Sequence, residues 1–89
     1  MNAIITVVGT DKVGIIAKVS NFLAERHINI EDITQTILSG NFVMMMMVDL
    51  SQSSKTLETV KAELTGIGVS LNVSISLMHE QVFSAMHRI

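Results

Sequence analysis

Val7-Val8-Gly9-Thr10-Asp11-Lys12-Val13-Gly14-Ile15-Ile16-Ala17-Lys18-Val19-Ser20 reads as a short apolar strand, a glycine-bounded polar loop and the opening of an amphipathic helix. The hydrophobic period passes here from 2 to 3.6, the mark of a strand feeding a helix. The loop sets backbone N–H groups at a helix start, where partial positive charge favours an anion.

The same change of period recurs along the chain and gives its element order. Ala3 to Val8 is the first strand, and a helix follows from about Val13 to Arg26. Ile16, Val19 and Leu23 form its inner stripe, widened by Ile15 and Phe22, and Asp11 or Thr10 is its expected N-cap. His27 falls where a left-handed residue commonly closes a helix. Ile28 to Leu38 is the second strand. Its apolar phase slips between Ile30 and Ile33, which predicts a bulge near Glu31-Asp32. Ser39-Gly40-Asn41 is a hairpin signal, and Phe42 to Leu50 is the third strand. A second helix is expected after an N-cap at Ser53 or Ser54, with Leu57, Val60, Leu64 and Ile67 inward and Gly68 as its stop. Val69 to Leu77 alternates as a fourth strand, and a short last helix spans about Glu80 to Arg88.

Two right-handed crossovers joined by a hairpin make an α+β, ferredoxin-like βαββαβ sandwich with an extra short C-terminal helix. The third strand is apolar on both faces and the first nearly so, which puts them mid-sheet. The half-polar fourth belongs at an edge, for an antiparallel order of 4-1-3-2 with helices on one face. On the other face Ile4, Val8 and one parity of Met44 to Met47 are left to water. Covering even about 300 Å² there is worth about 7 kcal/mol before entropy, so a second subunit, the C-terminal helix or both are expected on it.

The 89 residues form one domain, residues 1–89, with 48% apolar and only 16% charged residues, a balance that favours a homo-oligomer. The net charge of −2 comes with scattered basic residues, against a nucleic-acid partner. There is no cysteine, which excludes disulfides and thiolate chemistry and fits a reducing compartment. No segment has the length of a signal or membrane span, so the chain, with Met1 intact, is expected to be complete and cytoplasmic, with no membrane partner.

No catalytic constellation can be assembled. His79 and His87, both expected on the last helix, stand roughly 12 Å apart along it, too far to share a metal within one chain. Glu31 and Asp32 read as solvated or bulge residues, and Met44 to Met47 as packing. An arginine in the first loop, aromatics on the central strands or paired cysteines would point to acylphosphatase, RNA-binding or metal-carrying relatives of this fold; no arginine lies between Gly9 and Ser20, Phe42 is the single aromatic on those strands, and there is no cysteine. No enzyme, metal or cofactor is expected. The Gly9–Ile15 loop carries two readings. In one it receives a carboxylate on the N–H groups of residues 12 to 15, with Asp11 taking an ammonium, which together suit an α-amino acid. In the other Asp11 caps the helix and Gly14 packs on the sheet.

Ile4 to Ser20, Phe22-Leu23-Ala24-Glu25 and Ile28-Asn29-Ile30-Glu31-Asp32-Ile33-Thr34-Gln35 together resemble ACT domains, most of all the stand-alone bacterial UPF0237 group. The chain is also similar to the ACT halves of glycine-cleavage regulators and formyltetrahydrofolate deformylases. The resemblance runs to Phe83-Ser84-Ala85-Met86 and departs at His27, where relatives commonly carry glycine. It implies the same fold and a small metabolite, usually an amino acid, bound at the first strand–helix loop, often at a subunit interface. The matching positions are Gly9, Thr10, Asp11, Lys12, Val13, Gly14 and Ile15, with Asn29 and Ile30 across the way. The expected role is a non-enzymatic, homodimeric sensor acting on a target protein. Its rival is an assembly module with no ligand.

Overall fold

The computed structural model describes residues 1–10 and 14–86, with the side chain of Met86 left aside. The elements run β1 (Asn2–Gly9), α1 (Ile15–Glu25), β2 (Asn29–Leu38), β3 (Asn41–Asp49), α2 (Leu57–Leu71), β4 (Ser74–His79) and α3 (Glu80–Met86). The sheet order is β2-β3-β1-β4, every pair antiparallel, as the burial pattern predicts.

Period-2 burial is clearest in β3, where Phe42, Met44, Met46 and Val48 are buried and the residues between them half-buried. Those four join Ala3, Ile5 and Val7 of β1 and Ile75 and Leu77 of β4 in one core beneath the helices. From above, α1 contributes Ile15, Val19, Phe22 and Leu23, and α2 contributes Val60 and Leu64. α1 packs toward β2 and α2 over β4. The helices do not reach across β2, so Ile33 and Ile37 stay 38% and 62% exposed although they share the core's side of the sheet.

Local sequence sets the connections. The β2–β3 loop is Ser39-Gly40, both at positive φ (53° and 80°), the two-residue turn whose twist matches a hairpin. The register slips between Ile30 and Asp32, the expected bulge. α1 closes on His27 at φ 58°: the N–H of His27 donates to Ala24 O at 3.2 Å and that of Ile28 to Leu23 O at 3.0 Å. This is a Schellman closure built without glycine.

Several expected boundaries are corrected. α1 is Ile15–Glu25 and its N-cap is Gly14 at φ 76°, not Thr10; Val13, the expected start, and Asp11, the other expected cap, lie outside the described residues. The N-cap of α2 is Thr56, whose hydroxyl accepts the Thr59 N–H at 3.2 Å, not Ser53 or Ser54. Gly68 does not stop α2. The helix continues to Leu71, and Asn72 at φ 58° ends it, so β4 starts at Ser74 instead of Val69. Gly68 is glycine because a β-carbon there would come within 2.8 Å of Val73 O as the chain folds back. His79 is the last residue of β4, not part of the final helix, and its Nδ1 accepts the Gln81 N–H at 3.0 Å. The expected helix residues His87 and Arg88 lie outside the described residues.

On the sheet's other face α3 packs against β1 and β4, one of the covers expected there. It leaves Ile4 only 6% exposed, while Val8 remains 37% exposed.

Candidate functional site

The expected receptor begins where β1 ends. Gly9 pairs with Phe42 and Phe42 with Ile37, so these residues form one row at one end of the sheet. Gly9 is held by packing, since a β-carbon on it would meet Val73 Cγ1 at 2.5 Å. Among the described residues, the groove beside Gly9 and exposed Thr10 is bounded by Gly68 of α2 and by Asn72 and Val73 of the α2–β4 turn.

Gly14 is different. Its left-handed backbone is the reason for glycine, and a β-carbon there would meet nothing within 4 Å among the described residues. The Lys18 N–H donates to Gly14 O at 2.9 Å. No side chain among the described residues caps this helix start. The first-turn N–H groups have no acceptor four residues back within the helix, and they carry the positive end of its dipole. Ile15, the first helical residue, is 2% exposed and anchors the turn in the core. Asp11, Lys12 and Val13, the middle of the expected site, lie outside the described residues.

Asn29 and Ile30 are not brought to this loop within one chain. Asn29 pairs with Asp49, which pairs with Asn2, so Asn29 lies in the row of Asn2. Gly9 stands at the far end of β1, about 23 Å away at roughly 3.3 Å per residue.

A small cleft of about 220 Å³ lies at the Gly9 end, lined by Gln35, Thr36, Ile37 and Phe42. These residues were missed in the sequence. The signal was present: beyond the bulge, Ile33, Gln35 and Ile37 share the core-side parity of β2, and Gln35 interrupts an otherwise apolar set. The groups with displaced titration stand elsewhere. Hydrogen bonding from Arg26 holds the Glu63 carboxyl below its ordinary range, and the Ser51 N–H does the same for Asp49. Among the described residues no cluster of His, Asp and Glu is arranged to hold a metal ion.

Residues 2–78 match the family model described as ACT domain. The chain is 54% identical over 89 residues to a UPF0237 protein of Listeria innocua, covering all of both chains. It superposes on an ACT domain protein from Streptococcus pneumoniae with a TM-score of 0.83 at 44% identity, over 98% of each chain. It also matches a formyltetrahydrofolate deformylase from Pseudomonas syringae, with a TM-score of 0.77 at 25% identity, over 86% of this chain and 26% of that one.

Proposed function

The chain belongs to the ACT-domain family, and on that premise we propose that it senses an amino acid as a cytoplasmic homodimer, by binding and without catalysis. The family accounts for the general kind, a regulatory small-molecule-binding domain. The ligand class, the dimer and the action on a target protein are our reading.

The observation that carries it is the start of α1. Left-handed Gly14 leaves space beside donors that no described side chain caps, and this suits a carboxylate. Asp11, three positions earlier in the sequence, is the acid expected to meet the ammonium. The Gln35–Ile37–Phe42 cleft at the same end offers an amide and apolar surface for the rest of the ligand.

The dimer follows from what one chain keeps apart. β2 is an edge strand, exposed from Glu31 to Leu38. Antiparallel pairing of two β2 edges about a two-fold axis would reverse the partner strand. The partner's Asn29 would then lie at the end of this copy that carries Ile37, Phe42 and Gly9. The ligand would be bound between copies, and its binding would shift their geometry or their affinity for a target, with the reciprocal effect required by linkage.

Calorimetry against each of the common amino acids tests this. Heat is expected with one or a few of them, abolished by Asp11→Ala and weakened by Asn29→Ala. No heat with any would leave the second reading, an assembly module without a ligand, which the exposed Ile33, Ile37 and Leu38 of β2 favour.

A further inference from the structure

The sheet's other face carries a cavity that plays no part in the receptor just described. It lies between α3 and the sheet, measures about 190 Å³, and is lined by Ile4, Met45, Met47 and Phe83, with Asp32 and Thr34 on its β2 side.

The bulge is what brings a carboxylate to it. Ile30 pairs with Val48 and Ile33 with Met46, both on the core side of the sheet. Glu31 and Asp32 therefore fall together between them, and Asp32 pairs with Met47 on the opposite side. Regular alternation through both acids would instead send Asp32 to the helix side of the sheet. Asp32 Oδ1 accepts the Ile33 N–H at 2.9 Å. None of the ion pairs among the described residues includes Asp32 or Glu31. One wall of the cavity is thus polar, with Asp32 beside Thr34. The others are Phe83, Ile4 and the methionines of β3.

We propose that this cavity is a second small-molecule site that favours a primary amine with an apolar body about the size of one aromatic ring. The ammonium sits at Asp32, on the side where Glu31 adds negative charge. The body lies against Ile4, Met45 and Met47, and thioether side chains adapt readily to such a shape. Phe83 of α3 forms the facing apolar wall. The size is adequate: an apolar cavity of about 150 Å³ takes up benzene. A carboxylate in place of the amine meets repulsion from Asp32 and Glu31.

Phenethylamine, ethylbenzene and phenylacetate are the probes, read by the methyl resonances of Met45 and Met47 in the full chain. These methyls report the α3 face, whereas a ligand at the Gly9 end moves Ile15 and Ile37, so the two sites fail or succeed separately. Phenethylamine is expected to shift both methionines saturably, and Asp32→Asn to weaken it about two- to fivefold, the range of an exposed charge pair. Ethylbenzene is expected to bind parent and variant alike, and phenylacetate more weakly than either. Asp32 is exposed and an asparagine oxygen can still accept the Ile33 N–H, so the variant keeps its fold. Methionine signals unmoved by the amine, or equal affinity in Asp32→Asn, overturn the proposal. So do methionine shifts that follow protein concentration alone, since a second copy then closes this face.

Discussion

Val73 occupies the space that a side chain on Gly9 would need: a β-carbon built there comes within 2.5 Å of Val73 Cγ1 and 3.2 Å of its Cβ. Gly68 presses from α2, where a β-carbon would reach Val73 O at 2.8 Å, and the Val73 N–H donates to Gly68 O at 2.9 Å. The start of β4 is thereby locked between the end of β1 and the last turns of α2. Of the two glycines bounding the first loop, Gly9 serves this lock, and Gly14 serves the helix start.

Gly9→Ala is therefore expected to destabilise the domain by about 1–3 kcal/mol, the cost of overpacking. Chemical denaturation checks it. Val73→Ala in the same chain makes room for the new methyl, so the double variant should be more stable than the two single losses added together, by about 1 kcal/mol.

His27 holds the left-handed closing position of α1 at φ 58°. A β-carbon in that region costs roughly 1–2 kcal/mol, partly offset because glycine loses more chain entropy on folding. His27→Gly should leave a net gain of about 0.5–1 kcal/mol, visible in calorimetric melting as a rise of several degrees, roughly 4–8 °C per kcal/mol for a domain of this size.

Arg26 joins the two helices. Its Nε donates to Glu63 Oε1 at 3.0 Å and its Nη2 to Oε2 at 3.1 Å, while its guanidinium lies 3.7 Å from the Phe22 ring centre. The paired Glu63 has a folded pKa below its unfolded one. Its contribution is thus fully present above the ordinary glutamate value of about 4.3 and is lost as pH falls through the lowered folded value. Glu63→Gln should flatten this acid limb of the stability profile. Asp49, lowered mainly by the Ser51 N–H, keeps its own share of the slope. An unchanged slope below about pH 4.3 would show that the pair does not couple to folding.

Ile37 is 62% exposed on the β2 edge. A lysine there is a common way to blunt a strand edge. Ile37→Lys is expected to turn the proposed dimer into a monomer by sedimentation, with unfolding stability of the isolated chain changed by no more than about 0.5 kcal/mol. A parent chain that already sediments as a monomer refutes β2 pairing.

How far the sequence could be read depended on whether the deciding interaction was local. The hairpin at Ser39-Gly40, the slip at Glu31 and the turn at His27 each rest on the conformational needs of a few adjacent residues. The two-faced apolar pattern of Met44 to Met47 needs a central strand, and that ordered the sheet. The end of α2 was misread because Val69, Leu71 and Val73 continue the alternation of β4, although Val69 is a helical residue 79% exposed. Gly68 resembles a helix stop until Val73 O is seen beside it. The row of Gly9, Phe42 and Ile37 was equally hidden, because it joins three strands.

By itself, then, the order of residues determined the kinds of elements, their succession and the sheet's arrangement, since periodicity and turn chemistry act over neighbouring positions. Tertiary structure alone decided why Gly9 and Gly68 are required, which end of the sheet Asn29 occupies, and that the bulge turns Asp32 toward a cavity under α3. Each of these depends on atoms remote in the chain coming within a few ångströms, a distance that no local pattern encodes.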